Sequence, residues 1–191
     1  MATSVSRDEG KPKGPWRAPQ PHALPASVPR APRRLIEWTG ERCLPWADDL
    51  AMVYEHYHRY LFAAALAPGR RVLDLAAGEG YGAALLATQA EEVVAVDIDD
   101  AAVEHARANY RLGNLTFRQG DMLEVSDLAD GSFDMVTCFE ALEHVDDHDR
   151  LIAEVQRLLA PEGILILSTP DRVVYSMEQG RDNPFHTREV S

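Results

Sequence analysis

Short apolar runs alternate with helical patterns between residues 71 and 168, and this alternation narrows the available folds more than any other feature. Residues 71–75, 92–96, 115–119, 133–139 and 164–168 read as strands. Between them lie an alanine-rich helix to about Ala90, a helix capped by Asp99 or Asp100 and closed by Gly113 and Asn114, and a helix over 146–160 with an acidic first turn. Pro161, Glu162 and Gly163 read as a turn. Strands separated by helices and short connections predict an α/β fold: a doubly wound parallel sheet, covered on both faces, with right-handed crossovers. Ligands of such sheets sit beyond the carboxyl ends of the strands. The residues that follow each strand are therefore the ones to read for chemistry.

The rest of the chain supports one domain. Its 191 residues suffice for one sizeable core. Residues 1–34 hold most of the 12 prolines and the basic residues Arg7, Lys11, Lys13, Arg17, Arg30, Arg33 and Arg34. This stretch lacks periodic apolar residues, so it is expected to be a disordered, Pro-rich, basic leader. Residues 35–191 form the expected domain, with a core over 70–170. The overall net charge is −12 despite that leader, so the body is strongly acidic and duplex nucleic acid is not an expected partner. No apolar run is long enough for a membrane span, and no charged-then-apolar leader opens the chain, so a cytoplasmic location is expected. Of two cysteines, Cys138 lies inside an apolar strand and reads as a reduced core residue. A helix over 49–66 presents Leu50, Val53, Tyr54, Tyr57, Leu61 and Leu66 at helical spacing and ends at Pro68-Gly69.

After the first strand comes a glycine turn, with Gly78, Gly80 and Ala83 spaced as G-x-G-x-x-G/A. Glycines here let the backbone approach a ligand, and the next helix offers free N–H groups. Asp74 argues against a pyrophosphate at that point and suits a cation such as an ammonium. The plain alternative is a structural turn with a capping acid. After the second strand, Asp97 is placed to accept hydrogen bonds from both hydroxyls of a ribose, while Asp99 and Asp100 serve as helix caps. After the third, Asp121 suits an exocyclic amine or a simple turn, and Met122 suits the face of a base.

Taken together, VLDLAAGEGYG (72–82), VAVDI (94–98), QGDM (119–122), FDMV (133–136) and LLAPEGIL (158–165) resemble the successive motifs of class I S-adenosylmethionine-dependent methyltransferases. The resemblance implies a Rossmann-like sheet in the order 3-2-1-4-5, and S-adenosylmethionine as the cofactor. It implies Gly78 and Gly80 against the methionine part, Asp74 near its amino group, Asp97 on the ribose and Asp121 on the adenine amine. Ala76, Ile98, Met122 and Phe139 complete the expected cofactor pocket. Ala76 stands where many members have glycine. Two further likenesses concern the acceptor. TGERCLP (39–45), YEHYHRYLF (54–62), STP (168–170) and NPFH (183–186) resemble bacterial methyltransferases of surface-polysaccharide pathways, which implies a sugar hydroxyl. In that setting His56, His58 and the tyrosines of the first helix line the pocket from above, or pack as core aromatics.

The fourth strand runs into Glu140, Glu143 and His144, which would share one face if a helical turn begins there. Three readings stand side by side. His144 is a general base oriented by a glutamate such as Glu140. Alternatively Glu140, Glu143 and His144, with His186, hold Mg²⁺ or Mn²⁺, a pattern similar to small-RNA 2′-O-methyltransferases and ubiquinone-pathway O-methyltransferases. Or the segment is an acidic helix start. The expected activity is O-methylation of a small-molecule or sugar hydroxyl, with base or metal assistance. The alternatives are a catalytically silent S-adenosylmethionine-binding protein or partner subunit, and an NAD(P)-dependent oxidoreductase. The oxidoreductase reading lacks a Tyr-x-x-x-Lys site, since Lys11 and Lys13 are the only lysines. The antiparallel strand pair that usually follows strand five in this class is missing from the pattern, as in a C-terminally truncated chain. That leaves an edge which a second copy would cover in a homodimer.

Overall fold

The computed structural model describes residues 50–171, with side chains from Val53 onward. The elements in order are α1 (Leu50–Leu66), β1 (Arg71–Leu75), α2 (Tyr81–Ala87), β2 (Glu92–Asp97), α3 (Asp100–Asn109), β3 (Leu115–Gln119), β4 (Phe133–Phe139), a 3₁₀ turn (Leu142–His144), α4 (His148–Leu158) and β5 (Leu159–Ser168). The strands form one sheet in the order β3-β2-β1-β4-β5, and every pairing is parallel. This is the Rossmann-like topology implied by the motifs. The leader, His186 and the expected loss of a strand pair all fall outside the described residues. Among the described residues no helix is long and apolar enough to cross a membrane.

Period-two alternation divides the core between the two faces of the sheet. Val72, Val93, Ala95, Met135 and Phe139 face α1, α2 and α3. Leu73, Leu75, Val94, Val96, Val136 and Cys138 face α4 and the segment around Val125 and Leu128. α4 buries Leu151, Val155 and Leu158, one stripe of an amphipathic helix, and Asp147 caps it by accepting the Arg150 amide at 3.0 Å. Burial also pushes the Cys138 thiol up to about 12, which keeps it protonated.

Several boundaries differ from the sequence reading, each for a local reason. α2 stops at Ala87 and α3 at Asn109. Asn114, expected to close α3, instead donates to the carbonyls of Ala87 and Ala90 and so satisfies the end of α2. α4 ends at Leu158, and β5 begins at once. The expected turn at Pro161–Gly163 is a bulge inside β5: Phe133 pairs with Leu159 and Met135 with Ile164. Glu162 takes φ 65°, and a Cβ on Gly163 would stand 2.8 Å from the Ala160 oxygen. The extra residues loop out and pairing resumes, as bulges allow.

Candidate active site at the carboxyl edge

The turn from β1 to α2 is built on left-handed backbone. Ala76, Gly78 and Gly80 have φ of 55°, 57° and 95°. Glycine is needed at 80 for a second reason: a Cβ there would lie 2.7 Å from Ala106 and 2.8 Å from Phe117. Ala76 holds the same kind of conformation with a side chain, at a cost of about 1–2 kcal/mol.

Asp97, at the end of β2, fastens this turn. Its Oδ2 accepts the Gly78 amide at 2.7 Å and its Oδ1 the Asp99 amide at 2.9 Å. The Asp97 carbonyl accepts the Gly120 amide at 3.0 Å, which draws the start of the 120–124 segment to the same edge. There Asp121 makes a turn, its Oδ1 accepting the Leu123 amide at 2.9 Å. Met122 is half-buried against the α4-side core. Ile98, next to Asp97, is 70% exposed.

Asp74 lies on the other side of the turn and is fully buried. It accepts from Thr137 Oγ1 at 2.6 Å and from the Tyr60 hydroxyl at 3.2 and 3.3 Å. Burial pushes its carboxyl up to about 7, against the pull of those two donors, and the charge of Asp97 adds to the rise. The Tyr60 ring stands edge-on to Phe139 at 5.0 Å and to Tyr81 at 5.4 Å. Phe139 is thereby packed at the end of β4 and 7% exposed.

Beyond β4 the chain departs from the expected helical turn. Glu140 takes φ 50°, outside any helix, and only Leu142–His144 form a 3₁₀ turn. The two glutamates are drawn to successive residues at the end of β5. Glu140 Oε1 accepts from Ser168 Oγ at 2.7 Å and pairs with Arg59 at 3.2 Å. Glu143, buried, accepts from Thr169 Oγ1 at 2.9 Å. Burial raises the Glu143 carboxyl, with Glu140 adding to the rise and Thr169 and His144 opposing it. His144 is half-buried. Among the described residues no three His, Cys, Asp or Glu side chains come together as an ion would require. Glu140, Glu143 and His144 therefore do not by themselves form the expected metal cluster, and His186 lies outside the described residues. On α1, burial and the Arg59 charge lower His56 to about 4, while His58 is exposed.

Three contributors escaped the sequence reading. Thr137 reads as one more β-former. Arg59 lies in a helix noted for its aromatics, yet it pairs with Glu140 and keeps a buried Nη1 that has no hydrogen-bond partner among the described residues. Tyr60 was one tyrosine among several. Its signal lay elsewhere, in Gly82, a glycine inside a helix: a Cβ there would sit 2.1 Å from the Tyr60 ring.

Comparison with known proteins fits this arrangement. A family profile described as a methyltransferase domain matches residues 73–167. The chain is 38% identical over 174 residues to a probable S-adenosylmethionine-dependent methyltransferase of Mycolicibacterium smegmatis, covering 89% of this chain and 63% of the relative. It is 35% identical over 105 residues to a ubiquinone biosynthesis O-methyltransferase of Neisseria meningitidis, covering 53% of this chain and 44% of the relative. The chain thus spans less than two thirds of the length of either. Among solved structures, the YcgJ protein of Bacillus subtilis superposes with a TM-score of 0.60 at 28% identity, over 71% of this chain and 63% of that one.

Proposed function

We propose that this chain, a member of the class I S-adenosylmethionine-dependent methyltransferase family, methylates a hydroxyl of a sugar or other small molecule, with His144 as the general base. The observation that carries the cofactor assignment is the set of groups gathered at the carboxyl edge of the sheet and the facing helix α1. Asp74 is a buried carboxyl whose hydrogen-bond donors are hydroxyls, Thr137 and Tyr60. It suits an ammonium. Arg59 Nη1 is a buried donor lacking an acceptor among the described residues, which suits a carboxylate. Asp97 uses two of its lone pairs on the Gly78 and Asp99 amides and keeps others for ribose hydroxyls. Ile98 offers an exposed apolar face, and the second oxygen of Asp121 suits an amine. One amino acid and one nucleoside match that set.

S-adenosylmethionine, when bound, supplies an electrophilic methyl group on a sulfonium. The chain's part is alignment and proton handling. Asp74, Asp97 and the 77–80 backbone fix the ligand against the sheet edge, and alignment of this kind can contribute roughly 7–11 kcal/mol. His144, carried by the 3₁₀ turn beyond β4, takes the acceptor's hydroxyl proton on a ring nitrogen. Glu140, held by Ser168 and Arg59, borders the acceptor side. An uncharged oxygen is a poor nucleophile, so a base at this position favours an O-acceptor over a thiol. The likeness to ubiquinone-pathway O-methyltransferases over the same region supports that choice. A divalent ion is the competing way to acidify the hydroxyl. The separate tethering of Glu140 to Ser168 and Glu143 to Thr169 favours the base.

The test is calorimetry with S-adenosylmethionine, followed by transfer of labelled methyl to panels of sugars and phenols, with and without EDTA. Saturable binding and EDTA-insensitive O-methylation are expected. Binding of NAD in place of S-adenosylmethionine, or transfer abolished by EDTA and restored by Mn²⁺, would overturn the cofactor or the base assignment respectively.

A further inference from the structure

Glu79 sits inside the glycine turn, yet its carboxylate points away from the sheet edge into the layer between the turn and α3, with a fully buried side chain. Both of its oxygens lie 2.9 Å from the Tyr110 hydroxyl, which donates to them. His105 Nε2 lies 3.0 Å from Glu79 Oε2, and the imidazole is 4% exposed. Asn109 Nδ2 donates to the His105 carbonyl at 2.9 Å and stands 3.2 Å from His105 Nε2. Burial, and then the charge of Glu79, drives the Tyr110 hydroxyl far up, so it remains a donor. None of these four side chains has a part in the reaction described above.

A polar cluster this deep is weak evidence for stability, since apolar residues filling the same volume are often as good. Its place in the chain gives it another consequence. Asp97 holds the amide of Gly78 from one side, and the cluster holds the side chain of the next residue from the other. The turn between them carries left-handed backbone at 76, 78 and 80. Gly78 and Gly80 adopt it freely, so many other turn geometries are open to them, while at Ala76 it persists only because its surroundings hold it. We propose that Glu79, His105 and Tyr110 are positioning residues that set the height of the 77–80 backbone at which the cofactor is recognised. The inference rests on the cofactor reading above.

The test measures S-adenosylmethionine affinity by calorimetry on the full chain carrying Glu79→Leu, Glu79→Gln, Tyr110→Phe or Val155→Ala. The last is a core truncation on the opposite face of the sheet. Glu79→Leu and Tyr110→Phe should each weaken binding about tenfold, as for one lost hydrogen bond to a charged group. Turnover at saturating cofactor should stay unchanged. Glu79→Gln, which still accepts from Tyr110, should recover most of the loss, and Val155→Ala should leave affinity at the wild-type value. Tyr110→Phe keeps the test alive if Glu79→Leu does not fold. Wild-type affinity in Tyr110→Phe, or an equal loss in Val155→Ala, would overturn the positioning role alone. Failure of the unsubstituted chain to bind would overturn the cofactor reading and this inference together.

Discussion

The Tyr60 hydroxyl reaches both carboxylate oxygens of the fully buried Asp74, at 3.3 and 3.2 Å, through a gap that Gly82 leaves open. Helix α1 is thereby tied to the end of β1. Three substitutions probe the link. Gly82→Ala puts a methyl group where the ring now lies and should destabilise the fold by about 1–3 kcal/mol through overpacking. Tyr60→Phe keeps the ring and removes one donor to a buried acid, which should cost about 1–3 kcal/mol. Tyr60→Phe in the Gly82→Ala background should cost less than it does alone, because the bond is already displaced. Urea unfolding midpoints measure all three, and strict additivity would show that Gly82 and Tyr60 act independently.

Asp74 also makes stability depend on pH in a definite direction. In an unfolded chain it titrates near pH ~4, and in the fold at about 7. Between those values the folded state keeps a proton that the unfolded state has released. This residue's contribution to stability therefore falls as pH rises through that window, and is level above it. Asp74→Asn should flatten that part of the profile, as read from thermal midpoints across the pH range.

The same titration bears on ligand affinity. If Asp74 faces an ammonium, the ionised form is the one that binds. Affinity for S-adenosylmethionine should rise with pH until Asp74 is fully ionised, then decline as the ligand's own amine loses its proton near pH ~8. A pH-independent dissociation constant across this range would remove Asp74 from the ligand's surroundings.

Ala76 occupies a backbone conformation that glycine adopts without strain. Ala76→Gly relieves about 1–2 kcal/mol of strain but returns about 0.4–1 kcal/mol of unfolded-chain entropy. The net expectation is a stabilisation of about 1 kcal/mol or less, read from chemical denaturation. A loss of stability would mean that the methyl group packs productively where it stands.

His144→Ala should lower turnover by roughly 10²–10⁴-fold, the range for a positioned base, while leaving S-adenosylmethionine affinity unchanged. Steady-state kinetics paired with calorimetry separates the two effects. Unaltered turnover would return the 142–144 segment to the role of a structural turn.

The sequence by itself determined the layered α/β arrangement, because strand and helix periods are local and the 71–168 region repeats them in a legible order. It located Asp74, Gly78, Gly80, Asp97 and Asp121 at the strand ends, since position after a strand is countable along the chain. Tertiary structure alone decided which groups those residues meet. Tyr60 and Arg59 reach Asp74 and Glu140 across large sequence separations. Glu79 turns inward to His105 and Tyr110 because α3 and the residue that caps its end place polar partners there. Glu140, Glu143 and His144 look like a cluster when written in a row. The left-handed backbone at Glu140 and the hydroxyls of Ser168 and Thr169 give the two acids different hydrogen-bond partners, although both still act on one another electrostatically. Periodicity is written residue by residue, whereas the pairing of buried polar groups depends on which distant segments fold against one another.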